Sequence, residues 1–245
     1  VEVPIVSVRH EAHIGILDQG NLGACTGFAG IGCLARGEFY PTITNTDRYQ
    51  LIHEHGVELY SAATQRDPYP GAYPPNDTGS DGLSIAQELQ AVGEIVGYEW
   101  AFNFEQALWA LMKRPFITGI YWYDGMFYPD QEGVIHPTGT IAGGHEVAVD
   151  EYDSARGLVG GPNSWGANWG LNGRWYMPED EFADLVFNQY GDIVVFTPSS
   201  EPAPDPEPTV DDTFADVLNA WLDRRPYFYK NVQTATREWL IAKGL

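Results

Sequence analysis

Three short segments carry residue types that could break an acyl bond. The first, Asp18-Gln19-Gly20-Asn21-Leu22-Gly23-Ala24-Cys25-Thr26-Gly27-Phe28-Ala29, is a glycine-punctuated loop that delivers Cys25 to the first turn of an apolar helix. Unpaired N–H groups and the positive end of the helix dipole favour an anion there, so the thiol is expected to have a lowered pKa. On this segment alone a nucleophile and a buried structural cysteine are equally good readings. The second, Gly143-Gly144-His145-Glu146-Val147-Ala148-Val149, places His145 at the start of a strand behind two glycines that let a substrate or another backbone come close. The third runs from Gly161 to Gly173 and contains Asn163-Ser164-Trp165-Gly166 and Trp169-Gly170. Its Asn163 amide could orient an imidazole, and a tryptophan there could shield the pair from water. Either of the last two segments by itself would read as structural.

Together they follow an order. Cys25, then His145 120 residues later, then Asn163 18 beyond it, resembles the papain-like cysteine peptidases. The resemblance covers nearly all of residues 1–197. Val3-Pro4 with Val8-Arg9 is similar to the family's N-terminal strand, Asp18-Gln19-Gly20 with Leu22-Gly23-Ala24-Cys25 to its nucleophile loop, Gly144-His145 to its histidine strand, and Asn163-Ser164-Trp165-Gly166 to its asparagine turn. The resemblance implies an α+β, two-lobed fold, with a helical lobe, a strand-rich barrel-like lobe and an active-site cleft between them. It implies Cys25 as nucleophile, and His145 as the partner that holds the thiolate in an ion pair and later protonates the leaving amine. Asn163 would fix the imidazole, Gln19 would donate to the oxyanion together with the Cys25 N–H, and Trp165 would cover the His/Asn hydrogen bond. Such a donor contributes roughly 3 kcal/mol in comparable sites. Asp77-Thr78-Gly79-Ser80-Asp81-Gly82 resembles the glycine-rich strand with which the family pairs extended peptide, which suggests Gly79 and Gly82, with Gly144 and Trp165, as substrate-binding residues. An ordinary loop ahead of a helix is an equally good reading of that stretch. The family needs no cofactor.

The chain also departs from the family. Leu22 stands where many secreted members carry a disulfide cysteine and Thr26 where they carry an aromatic, which looks like a disulfide-free microbial or viral branch. Glu146 replaces the usual small apolar residue after the histidine, and strand alternation is expected to point it away from the imidazole. Cys25 and Cys33 are eight residues apart on one expected helix, about 12 Å of rise, so no bridge joins them. Folding then does not depend on an oxidising compartment, and a reducing compartment or a phage particle is compatible with it. Residues 1–10 lack the cationic and apolar regions of a signal peptide. No inhibitory prosegment precedes Val1, so one is either removed or not needed.

The elements that must position these residues change character midway. Helices are expected over 25–37, 47–66, 83–93 and 104–113, and strands over 115–123, 145–152, 157–160, 174–177 and 192–197. A helical half followed by a strand-rich half implies α+β architecture. Residues 1–197 form the expected peptidase domain. Residues 198–212 hold five prolines and five acids and read as a semi-rigid linker. Residues 213–245 read as a helical hairpin, too small for its own core, that docks on the main domain or on a protein partner.

Composition narrows the function classes. The 245 residues are 44% hydrophobic and 13% aromatic, which excludes wholesale disorder, and no apolar run approaches the roughly 18 residues of a membrane span. A net charge of -21 has the wrong sign for nucleic acid or an anionic membrane surface. His53-Glu54-His55 does not make a metal site, because successive helical residues do not face one ligand, and no metal is expected. The expected activity is that of a cysteine endopeptidase acting on polypeptide. Two alternatives stay open: a cell-wall peptide hydrolase of a bacterial or phage system, and a papain-like scaffold kept for binding and assembly.

Overall fold

The apolar, glycine-rich run after the nucleophile loop folds as α1 (Cys25–Leu34), and all but its first residue are buried. Glycine at position 27 is a packing requirement, since a Cβ there would sit 2.1 Å from the Gly56 carbonyl oxygen of α2 (Thr46–Ala63). The helix α3 (Gly82–Ala91) starts at Asp81, whose side chain accepts the Ser84 N–H at 2.7 Å. Helices α1 and α3 cover one face of an antiparallel sheet, and α2 packs against both helices. The computed structural model describes residues 5–36 and 46–198. Val3-Pro4, the hairpin and all of the expected linker but Pro198 lie outside the described residues.

That sheet has the order β2-β8-β3-β4, from β2 (Ile95–Trp100), β3 (Phe116–Tyr123), β4 (Ile141–Val149) and β8 (Asp192–Pro198). Alternation along the strands divides the core. Ile117, Ala148, Val194 and Phe196 face the helices, packing with Phe28, Leu59 and Ile85. Phe116, Ile120, Val147, Val149 and Ile193 face the other way, onto Trp175, Met177 and Phe182. The second face is covered by α4 (Phe104–Leu111), α5 (Glu179–Phe187) and a second antiparallel sheet. Its order is β1-β5-β6-β7, from β1 (Val8–Arg9), β5 (Glu151–Asp153), β6 (Leu158–Pro162) and β7 (Arg174–Pro178).

Each helix and strand expected within the described residues is present there, with ends displaced by up to four residues. Strand β2, α5 and a 3-10 turn at Asp124–Phe127 add to them: β2 lies in the helical half of the chain yet pairs with β8 at the far end, and α5 belongs to the second layer. Val8-Arg9, expected in an N-terminal strand, form the two-residue β1 paired with β5. The expected strand 145–152 divides at Asp150 into β4 and β5, which belong to different sheets. Strand β4 also starts earlier than expected, because Ile141, Gly143 and Gly144 pair with Tyr123, Trp122 and Tyr121. His145 therefore stands mid-strand, opposite Ile120.

Candidate active site

Cys25 opens α1, and the residue before it, Ala24, offers no side-chain oxygen to cap the helix. The first-turn N–H groups are thus left for another acceptor. The histidine strand packs directly against α1, and the backbone N–H groups of Glu146, Thr26 and Cys25 itself act to lower the thiol pKa. Burial is nevertheless the largest influence and pushes the thiol up to about 11. The three N–H groups oppose that shift, and the charge of the Glu146 carboxylate adds to it. The lowered thiol pKa expected from the helix terminus is therefore overcome by desolvation.

His145 and Asn163 meet as the sequence suggested. His145 Nε2 lies 2.8 Å from Asn163 Oδ1, and both residues are buried. The Ser164 N–H also donates to Asn163 Oδ1, at 2.8 Å, which fixes the amide with its oxygen toward the ring. An oxygen facing Nε2 requires the proton on Nε2, and the lone pair is then on Nδ1. Burial lowers the imidazole pKa to about 4, and the bond to Asn163 only partly offsets it. Trp165 stacks on His145 at 4.7 Å between ring centroids, and Trp122 meets the same ring edge-on at 4.9 Å.

Gln19 is clamped from two sides. Its Oε1 accepts the Ser164 hydroxyl at 2.5 Å and its Nε2 donates to the Leu22 carbonyl at 2.8 Å. The amide orientation is set, and one Nε2 proton is left over. Gly144 is exposed, and nothing lies within 4 Å of where its Cβ would be. Gly79, with φ of +71°, is equally open on its missing side chain. Gly82 differs: it is the buried first residue of α3, facing Val194, Asp192 and Glu146.

Several positioning residues went unread in the sequence. Asp77 accepts the Gly23 N–H at 2.9 Å and the Tyr60 hydroxyl at 2.5 Å, while that hydroxyl accepts the Gly79 N–H at 3.1 Å. One carboxylate so ties the nucleophile loop to the Gly79 loop. No local pattern announces a link spanning 54 residues. Ser164 lay inside a recognised motif, and Trp122 and Phe127 complete the aromatic cover over Trp165.

No family model matches the chain, and no curated protein matches it by sequence. Solved structures do. Xylellain, a cysteine protease from Xylella fastidiosa, is 18% identical with a TM-score of 0.60, over 81% of this chain and 87% of that one. Procathepsin B S9 from Trypanosoma congolense is 13% identical with a TM-score of 0.56, over 82% and 79%. A digestive procathepsin L 3 from Tenebrio molitor is 15% identical with a TM-score of 0.52, over 80% and 71%. The fold is papain-like. At these identities the likeness is one of backbone course, and the α+β, papain-like architecture expected from three motifs is the one observed. Among the described residues of this papain-like chain, no helix is long and apolar enough to cross a membrane.

Proposed function

We propose that the chain is a cysteine peptidase with Cys25 as nucleophile, His145 as its proton partner, Asn163 as the group that orients the imidazole and Gln19 as oxyanion donor. The observation that carries this reading is the buried His145 imidazole, its Nε2 held by Asn163 Oδ1 at 2.8 Å, on a strand packed against the helix that Cys25 opens. With Nε2 occupied, Nδ1 accepts the thiol proton as sulfur attacks the scissile carbonyl carbon. The carbonyl π electrons move to oxygen, where the Cys25 N–H and the free Nε2 proton of Gln19 receive the charge. Collapse breaks the C–N bond, the imidazolium returns its proton to the amine, and a thioester remains. Water, deprotonated by the same imidazole, then releases the acid and restores the thiol. The open faces of Gly79 and Gly144 leave room for an extended peptide backbone.

A diverse peptide library read by mass spectrometry under reducing conditions tests the assignment against Cys25→Ala. Cleavage by the native chain that vanishes in the variant is expected. Cleavage surviving in Cys25→Ala, or none by either protein, would overturn it.

A further inference from the structure

The last residues of β8 border a groove on the α4 side of the sheet. Its floor holds Val195 and Thr197, with Glu99 of β2, which pairs with Val195 and so shares its face. Gly97 pairs with Thr197, and a Cβ added there would meet nothing nearer than Thr197 itself, at 3.9 Å, so the floor stays low. Trp109 and Ala110 of α4 supply the wall, and both are only half-buried. Arg114, just past α4, donates to the Phe196 carbonyl at 3.3 Å and holds wall to floor. Phe102, 78% exposed, also borders the space, whose volume is about 800 Å³.

The chain itself supplies a segment that fits. Thr197 lies in the floor and Pro198 follows it, so the polypeptide leaves the sheet at the groove. The 14 residues 199–212, rich in proline and acid, reach about 40 Å at most. Beyond them Phe214, Val217, Leu218 and Trp221 fall at i, i+3, i+4 and i+7, the spacing with which an amphipathic helix fills an apolar groove. A stretch as short as 213–245 cannot bury such a face within itself. Charge agrees with a seat on the main domain: residues 1–197 hold 8 bases against 26 acids, and residues 213–245 hold 5 bases against 3 acids. Opposite net charges draw the two together.

We infer that the groove between α4 and the ends of β2 and β8 seats residues 213–223 of the same chain, as a helix that lays Phe214, Val217, Leu218 and Trp221 into it. The tether decides between this occupant and others. It gives the segment a local concentration on the order of millimolar, so a second copy or a foreign helix of equal affinity loses the groove to it at micromolar concentration. Seating the helix takes Phe102 and the open side of Trp109 out of water. Neither Cys25 nor His145 borders the groove, so the seated segment does not touch the proposed catalytic pair. Docking there stands whether or not the chain cleaves peptide.

The test is hydrogen exchange on the full chain, read by mass spectrometry, beside two groove variants, Thr197→Arg and Ala110→Arg, and one segment variant, Trp221→Ser. Each is first confirmed folded by a cooperative melt, and sedimentation at the same micromolar concentration gives the oligomeric state. Expected is a monomer whose amides in 213–223 exchange at least about tenfold slower than an unstructured chain. In every variant that folds, the same amides should return to within about twofold of the unstructured rate. Unstructured rates in the native chain would overturn the seat, because the segment would then be docked nowhere. Protection that survives in a folded groove variant would overturn it as well, since the segment would be held on another surface or by its own contacts. Protection carried by a dimer, and lost as the dimer dilutes to monomer, would give the groove to a second copy and overturn the intramolecular seat.

Discussion

Asn163 shows how a single proton assignment sets the chemistry. Its Oδ1 is held by the Ser164 N–H, so Nε2 of His145 carries the proton and Nδ1 is basic. The imidazole is buried neutral, with its pKa near 4 rather than 6.5. The folded value is depressed, so the unfolded chain binds the proton first as pH falls. The stabilisation is complete above 6.5 and is lost through the window down to about 4, amounting to about 3 kcal/mol. Urea unfolding at pH 7, 5.5 and 4 should show that loss in the native chain and a flatter profile in His145→Gln; identical slopes would mean that the ring is not buried neutral. Ser164 invites a different measurement. Ser164→Ala keeps the backbone N–H to Asn163 but removes the hydroxyl that clamps Gln19. Turnover should fall about tenfold and Gln19→Ala about a hundredfold, both with Cys25 alkylation retained. Unchanged turnover in Ser164→Ala would show that the Leu22 carbonyl alone fixes the amide.

Among the elements, α1 is held by what its glycines leave out. Gly27 meets the Gly56 carbonyl of α2 so closely that any side chain must push the helices apart, whereas a Cβ on Gly32 would make an ordinary 3.7 Å contact with Ala148. Gly27→Ala should cost at least about 3 kcal/mol, while Gly32→Ala should be neutral or gain up to about 1 kcal/mol from helix propensity. Equilibrium denaturation of the two variants decides it: equal effects would mean that the α1–α2 approach is not tight. Of the elements that hold the proposed site, α1 and β3 were legible, because they are apolar runs with clear punctuation. Strand β2 was not, since its residues are mostly half-exposed, it contains Gly97, and a register irregularity breaks its alternation. Nor was α5, whose nine residues bury only Phe182, Leu185 and Val186 and follow a strand without a side-chain cap. Its signal was three acids in the first turn, favourable to the helix dipole but easily read as surface.

For the molecule as a whole, the sequence disclosed the order of the motifs but not what joins its layers. That joint is a buried ionic network whose members are far apart along the chain. Asp150, at the step between β4 and β5, pairs with Arg36 just past the end of α1 and with Arg174 at the start of β7, its Oδ1 taking Arg174 Nη2 at 2.5 Å. Glu151 takes Arg174 Nη2 as well, at 2.7 Å. One carboxylate thereby links the helical layer to both sheets. Burial by itself would raise the Asp150 pKa, but Arg36 and Arg174 overcome it and hold the carboxyl below its ordinary range. With the folded value depressed, the network stabilises the protein above the ordinary aspartate pKa and loses that contribution as pH falls through the folded value. Asp150→Asn keeps the shape but leaves two buried guanidinium groups short of charge, which should cost about 3 kcal/mol at pH 7 and remove that acid dependence. Because the three residues sit on different layers, the loss should appear as one cooperative transition at lower urea, seen alike by tryptophan fluorescence and far-UV circular dichroism. Two separated transitions would mean instead that the helical layer and the second sheet unfold independently and that Asp150 stabilises only one of them.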